Sequence, residues 1–282
     1  MNSPQTPSGK NLLKEKEGYL LSVEEDVYRY FHPKFRQELD HYLECFEAFN
    51  EEHLGIAVAP ELMPRLPYSL NDRFWKERQN DLERIEEEIK PESEVLEIGS
   101  WNGWLANALS EKGSSVTAID YFLDASNGLK ARRHYPRASW TSLHMDVDDI
   151  DVLEVQFDVV VFNRSVSYYG DFEGVIRKAQ GLLKEGGKLI LTGLNVVSNC
   201  DGANAFYERT DEVFRENYGI SMEIKPNSKK MLTNDDVKLL TNLSFELRRN
   251  GGFLAYTLKK YLFRKNSRSY TVYYTKGGVE HF

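Results

Sequence analysis

Three acids and two glycines are spaced so that together they can hold a small polar ligand. Glu97, Gly99 and Gly103 lie in "EVLEIGSWNGWLANAL" (94–109), where an apolar run breaks into glycines and resumes at helical spacing. Asp120 closes the next apolar run, "SVTAID", and Asp146 closes the one after, "WTSLHMD". A strand, a glycine turn and a helix in that order commonly carry a phosphate or a nucleotide, because the helix start presents free N–H groups. A dinucleotide fingerprint needs glycine where Trp101 stands, and an indole there obstructs the approach of a pyrophosphate to the backbone. A P-loop fails as well, since no Gly-Lys-Ser/Thr follows. The turn is built for a ligand without a phosphate chain.

Such a ligand needs rigid strands beneath it, and the rhythm after Pro91 supplies them. Short β-rich runs recur at "EVLEI" (94–98), "SVTAID" (115–120), "WTSLHMD" (140–146), "FDVVVFN" (157–163) and "GKLILTG" (187–193), with helical stretches between most of them. In one such stretch, 171–184, Val175, Ala179, Leu182 and Leu183 share a face. Strands alternating with helices imply a mostly parallel, doubly wound sheet, whose ligands sit outside the carboxyl strand ends where strand order reverses. A further helix is expected after Thr233, which can cap it while Asp236 answers three residues on and Leu232 packs on Val237. "FELRR" and "SYTVYYTK" read as closing strands. Upstream, Phe35, Leu39, Tyr42, Phe46 and Phe49 fall at helical spacing, as do Trp75, Leu82, Ile85 and Ile89. Three prolines in "GIAVAPELMPRLPY" keep any long element from forming between them. Residues 1–17 read as a disordered polar tail, 18–90 as a helical N-terminal cap over the carboxyl end of the sheet, and 91–282 as the ligand-binding domain.

What the turn retains is E-x-G-x-x-x-G, followed by an acid at the next strand end. This resembles the first motif of the class I S-adenosylmethionine-dependent methyltransferases, and the resemblance runs over residues 91–276. It implies an α/β fold with a doubly wound, Rossmann-like seven-stranded sheet. It also implies S-adenosylmethionine as cofactor, held by Glu97, Gly99, Gly103, Asp120, Asp146, Val147 and Asn163. On that reading the glycines let the backbone pass the donor's amino-acid part, and Asp120 accepts from both ribose hydroxyls. Asp146 takes the adenine amino group, and the amide of Val147 donates to a ring nitrogen. The stretches "NGWLANALSEKG", "AIDYFLDASNGLKARRHY" and "FNRSVSYYGDF" further resemble a narrower set of bacterial methyltransferases with N-G-W-L, G-L-x-A-x-x-H-Y and N-x-S-x-H-Y elements. Here Ser167 stands where the last element carries histidine, and the paired cysteines of zinc-ribbon relatives are absent. Positioning of the acceptor by Asn163, Ser165 and Tyr168 is therefore expected to outweigh proton abstraction, with His134 the remaining candidate base. No metal is expected, because Cys45 and Cys200 are isolated and the six histidines form no close ligand pair.

Composition bounds the partners. The chain has 282 residues, 41% hydrophobic and 28% charged, enough to bury a sizeable core. Its net charge of −8 argues against a general nucleic-acid coat. No apolar stretch is long enough for a membrane span and the polar N-terminus lacks a signal-type apolar region, so a cytoplasmic location is expected. From Arg248 to Lys276 there are eight basic residues and no acid. That run suits an anionic small-molecule acceptor, such as a sugar phosphate or lipid head group, or contact with a membrane surface. Two other readings stay open: a module that binds the donor without turnover, and non-methyl chemistry with the same donor.

Overall fold

Side chains alternate across a strand, and in this sheet both faces are covered. Leu96, Ile98, Val160, Phe162, Leu189 and Leu191 enter one apolar layer, while Val95, Val159, Val161 and Ile190 enter the other. Burial on both sides is why these strands read as nearly continuous apolar runs. The computed structural model describes residues 12–55, 57–197, 201–225, 228–229, 231–250 and 268–277. Its strands are β1 (Leu20–Glu24), β2 (Val27–Phe31), β3 (Glu94–Ile98), β4 (Ser115–Asp120), β5 (Thr141–Met145), β6 (Phe157–Asn163), β7 (Leu183–Val196), β8 (Glu246–Arg249) and β9 (Arg268–Thr275). Its helices are α1 (Pro33–Phe49), α2 (Arg73–Glu86), α3 (Trp104–Glu111), α4 (Phe172–Gly181), α5 (Asp201–Tyr218) and α6 (Asn234–Asn242).

Among the described residues nine strands form one sheet, in the order β1-β2-β5-β4-β3-β6-β7-β9-β8. Pairing is parallel from β2 through β7, and antiparallel at both margins, where β1 meets β2 and where β9 lies between β7 and β8. Strand order reverses at β3, which has β4 on one side and β6 on the other. The glycine turn follows β3, so it opens at the switch point. The α6 start is capped as its residues require, with the Thr233 amide donating to Asp236 at 2.7 Å.

Two expectations about the N-terminus need correcting. The sheet has nine strands rather than seven, because residues 20–31, inside the segment expected to be helical, form a hairpin whose β2 pairs in parallel with β5. Within the stretch expected to be a loose tail, residues 12–17 are docked. Leu12 and Leu13 are buried, the Lys14 amide donates to Val152 at 2.8 Å, and Lys16 pairs with Asp149 at 2.7 Å. The helical part of the segment divides between the two faces. Leu39, Tyr42 and Phe49 of α1 join one core layer, and Trp75, Leu82 and Ile85 of α2 join the other. No helix among the described residues is long and apolar enough to cross a membrane. The basic run lies largely outside the described residues, since 251–267 are not among them.

Candidate active site

The turn after β3 is shaped by three residues in the left-handed region, Gly99 (φ 79°), Trp101 (φ 50°) and Gly103 (φ 77°). Backbone amides of Gly99 and Ser100 donate to Ile119 at 2.8 and 3.1 Å, tying the turn to β4. Asp120 completes the tie, its two oxygens accepting the amides of Trp101 at 2.6 Å and Phe122 at 2.8 Å. The glycines also make room for the protein's own side chains. A Cβ on Gly99 would stand 2.3 Å from Cβ of Ser165 and 2.8 Å from the hydroxyl of Tyr169, and one on Gly103 would stand 2.9 Å from the ring of Trp140. Ser165 donates to the carbonyl of Ile98 at 2.5 Å, so the segment after β6 crosses directly over the turn.

Burial sets the electrostatics. Glu97 is fully enclosed, and desolvation, reinforced by the charge of Asp120, lifts its carboxyl well above the usual range. Asp120 is pushed up to about 7 by burial, although the amides of Phe122 and Trp101 pull the other way. Around the same turn, Glu97 Oε2, Ser100 Oγ, Asn102 Nδ2 and the hydroxyl of Tyr135 are buried without a hydrogen-bond partner among the described residues. Orphaned polar atoms in a core are costly and uncommon. Four at one turn fit a polar ligand, and a donor with an ammonium, a carboxylate and two ribose hydroxyls meets that description.

The next strand ends are joined by a residue that the spacing did not bring out. Tyr121 donates to Asp146 at 2.5 Å and accepts the amide of Val147 at 3.2 Å. Lys225 holds the other oxygen of Asp146 at 2.6 Å and also reaches Asp148 at 2.9 Å. Asp146 and Val147 thus stand beside Asp120 as expected, yet the Val147 amide is already engaged by Tyr121 and is not a free donor. Beneath them, the amide oxygen of Tyr121 accepts from His144 at 2.8 Å, and Arg29 donates to the other ring nitrogen at 3.0 Å. Burial, with Arg29 alongside, pushes this histidine down to about 3, so its ring is neutral.

At the end of β6, Asn163 is buried and accepts from Thr192 at 2.8 Å. Arg164 follows with φ 60°, and its guanidinium reaches back to α2, donating to Asp81 at 2.6 Å and Glu77 at 3.1 Å. Tyr168 is more than half exposed and hydrogen-bonded to Tyr207 of α5. His134 is not part of this group. It closes a short turn after β4 (Leu129–His134), with Nε2 3.1 Å from the carbonyl of Ala125. Tyr121, Lys225 and the Arg164–Asp81 pair were missed by sequence reasoning. Only Tyr121 left a signal, standing next to a strand-end acid.

A family model described as a methyltransferase domain matches residues 71–224, from just before α2 to just beyond α5. The chain belongs to that family of methyltransferases. Among curated proteins it is 30% identical to the ubiquinone biosynthesis O-methyltransferase of Xanthomonas axonopodis pv. citri (strain 306) over 119 residues, 40% of this chain and 48% of that one. It is 25% identical to the protein of the same name from Coxiella burnetii (strain Dugway 5J108-111) over 118 residues, 40% of this chain and 49% of that one. The methyltransferase chain thus spans about half the length of the curated relatives it matches. Among solved structures, magnesium protoporphyrin IX methyltransferase from Synechocystis PCC 6803 with bound SAH aligns at 15% identity and a TM-score of 0.48. That alignment covers 84% of this chain and 100% of that one. Phosphoethanolamine N-methyltransferase 2 of Haemonchus contortus in complex with S-adenosyl-L-methionine aligns at 14% identity and a TM-score of 0.48, covering 70% and 52%.

Proposed function

We propose that this methyltransferase moves the methyl group of S-adenosylmethionine to an oxygen of a small, anionic acceptor held beside Asn163. The observation that carries the reading is the set of orphaned polar atoms gathered with Asp120 at the switch point of the sheet, one strand away from Asn163. The names of the curated relatives support an oxygen as the nucleophile. When bound, the sulfonium supplies an electrophilic methyl group and a good thioether leaving group. This chain's residues then have three tasks. Glu97, Ser100, Asn102 and Asp120 hold the donor's polar groups at the turn. Ser165 and Tyr169, packed over Gly99, exclude water from it. Asn163, fixed by Thr192, and Tyr168 orient the acceptor.

Positioning of this kind supplies up to ~7–11 kcal/mol of a barrier, so a dedicated base is not required. His134 agrees with a minor role, because its ring is turned to the carbonyl of Ala125. Residues 18–90 contribute to the acceptor side through α2, whose Asp81 and Glu77 hold Arg164 next to Asn163. The test is methyl transfer from a radiolabelled donor to fractionated cell extract, with the labelled product identified by mass spectrometry. Asn163→Ala is expected to cut turnover sharply with little change in donor affinity, and His134→Ala only modestly. A loss of ~10²–10⁴-fold at His134 would instead assign it as general base. Donor binding with no labelled product from any fraction would favour the binding-module reading.

A further inference from the structure

Arg78 on α2 is a cation whose natural partners are taken by another residue. Its guanidinium carbon lies 3.3 Å from the ring centre of Phe74, 5.5 Å from that of Trp75 and 5.6 Å from that of Trp101. Trp75 and Trp101 are themselves stacked, with centroids 5.8 Å apart at 17°, which fixes this aromatic wall to the glycine turn. The two acids nearest Arg78 in sequence, Glu77 and Asp81, both pair with Arg164. Among the described residues no carboxylate comes within 4.0 Å of Arg78, and its hydrogen bond is one to the carbonyl of Phe74 at 3.3 Å, one turn back. Burial and the neighbouring Arg164 lower its pKa to about 9, although the charges of Asp81 and Glu77, both bonded to Arg164, pull the other way. A planar guanidinium with most of its donors unused matches a carboxylate or phosphate, which it binds through paired parallel hydrogen bonds.

The location decides what that anion belongs to. Arg78 touches the turn through Trp101, neighbours Arg164 directly after Asn163, and lies close enough to Tyr168 for its charge to act on that phenol. Phe74 and Tyr168 are 46% and 56% exposed, and Phe206 beside Tyr207 is 56% exposed. Rings from α2 and the post-β6 turn therefore leave aromatic surface open beside this cation, and such surface favours planar partners.

We propose that Arg78 is the specificity anchor of the acceptor pocket, binding the carboxylate or phosphate of a planar aromatic acceptor. The proposal rests on the transferase reading above. The rival source of an anion is the donor's own carboxylate, and the test separates the two. Wild type, Arg78→Met and Arg78→Lys are titrated with S-adenosylhomocysteine and with methylthioadenosine, which lacks the amino-acid part. Each protein holding saturating S-adenosylhomocysteine is then titrated with benzoate, phenyl phosphate and uncharged benzyl alcohol, reading the melting temperature. The expected result is similar nucleoside affinity in all three proteins. Benzoate or phenyl phosphate should stabilise the wild type, benzyl alcohol should not, and Arg78→Met should need about 10- to 100-fold more of the anion. Arg78→Lys should fall between, since it keeps the charge and loses the fork. Weakened S-adenosylhomocysteine binding with unchanged methylthioadenosine binding in Arg78→Met would assign the residue to the donor carboxylate and overturn the proposal. So would a wild type indifferent to both aromatic anions while holding S-adenosylhomocysteine. A wild type that binds no S-adenosylhomocysteine would strike the transferase reading itself, and this proposal with it.

Discussion

Asp120→Asn separates the two tasks assigned to that residue, because it keeps the shape and removes the charge. The wild-type carboxylate accepts the amides of Trp101 and Phe122, one on each oxygen. A carboxylate has about four lone-pair sites, which leaves two for the ribose hydroxyls. Its pKa rises from 3.8 to about 7 on folding, so the buried charge is destabilising. The sign follows from linkage: a raised folded pKa gives a contribution present below pH 3.8 and lost as pH rises through about 7. At pH 8 the loss is on the order of 4 kcal/mol, and at pH 5 only about 1–2 kcal/mol. Asparagine never bears that cost, but its NH₂ group faces one of the two amides, at about 1–3 kcal/mol. The variant should therefore be about 1–3 kcal/mol more stable than wild type at pH 8, and at pH 5 between about 2 kcal/mol less and about 1 kcal/mol more stable. Its affinity for S-adenosylhomocysteine should fall by about 10- to 100-fold, the worth of hydrogen bonds to a charged acceptor. Urea unfolding at the two pH values and calorimetry at pH 8 measure both. A variant less stable than wild type at pH 8 would refute the buried-charge argument, and unchanged nucleoside affinity would mean the pocket is misplaced.

Two other substitutions or measurements probe the frame of the site. Gly99→Ala combines a left-handed backbone with an overlap on Ser165, and should cost about 2–5 kcal/mol; Gly113→Ala, at φ 95° with no atom within 4 Å, should cost only the backbone strain of about 1–2 kcal/mol. Equal losses in urea unfolding would show that the segment after β6 does not press on the turn. His144 should remain neutral to well below pH 5, so its depressed pKa contributes stability above about 6.5 that is lost as pH falls toward about 3, at up to ~1.4 kcal/mol per unit. A ring resonance titrating near pH 6.5 in the folded protein would contradict this.

The central strands and the strand-end acids were legible because each is a local pattern. Strands buried on both faces must be apolar throughout, and Glu97, Gly99, Asp120 and Asp146 stand at or next to strand tips. The N-terminal hairpin was not legible, for identifiable reasons. Its turn uses Glu25 and Asp26 at φ 48° and 65°, where Asn-Gly is the usual signal. Exposed Leu20 and Val23 and buried Arg29 break the alternation on which a strand assignment rests. Arg29 is tolerated inside because Glu24, Asp40 and His144 all receive its donors. The contacts around Asn163 and Asp146 were equally hidden. Arg164 meets Asp81 across 83 residues and Lys225 meets Asp146 across 79, separations that no local pattern spans.

Those long-range pairs also rank the two strand-end acids. Binding affinity is a difference between what the ligand gains and what the protein gives up. At Asp120 a bound donor, on the proposed reading, would add hydrogen bonds to lone pairs that remain open beside the two amides. At Asp146 three of about four positions are taken, since Tyr121 and the Asp148 amide share one oxygen and Lys225 binds the other. An adenine amino group arriving there finds one position, on the oxygen that Lys225 already holds, and a ring nitrogen seeking the Val147 amide must displace Tyr121. The gain is therefore offset by bonds lost within the protein, as in any exchange of hydrogen bonds. Asp146→Asn, which can still accept from Tyr121, should change S-adenosylhomocysteine affinity by less than about fivefold, under ~1 kcal/mol. A loss as large as that of Asp120→Asn would mean that Tyr121 and Lys225 release Asp146 completely when the nucleoside binds, and the ranking would fall.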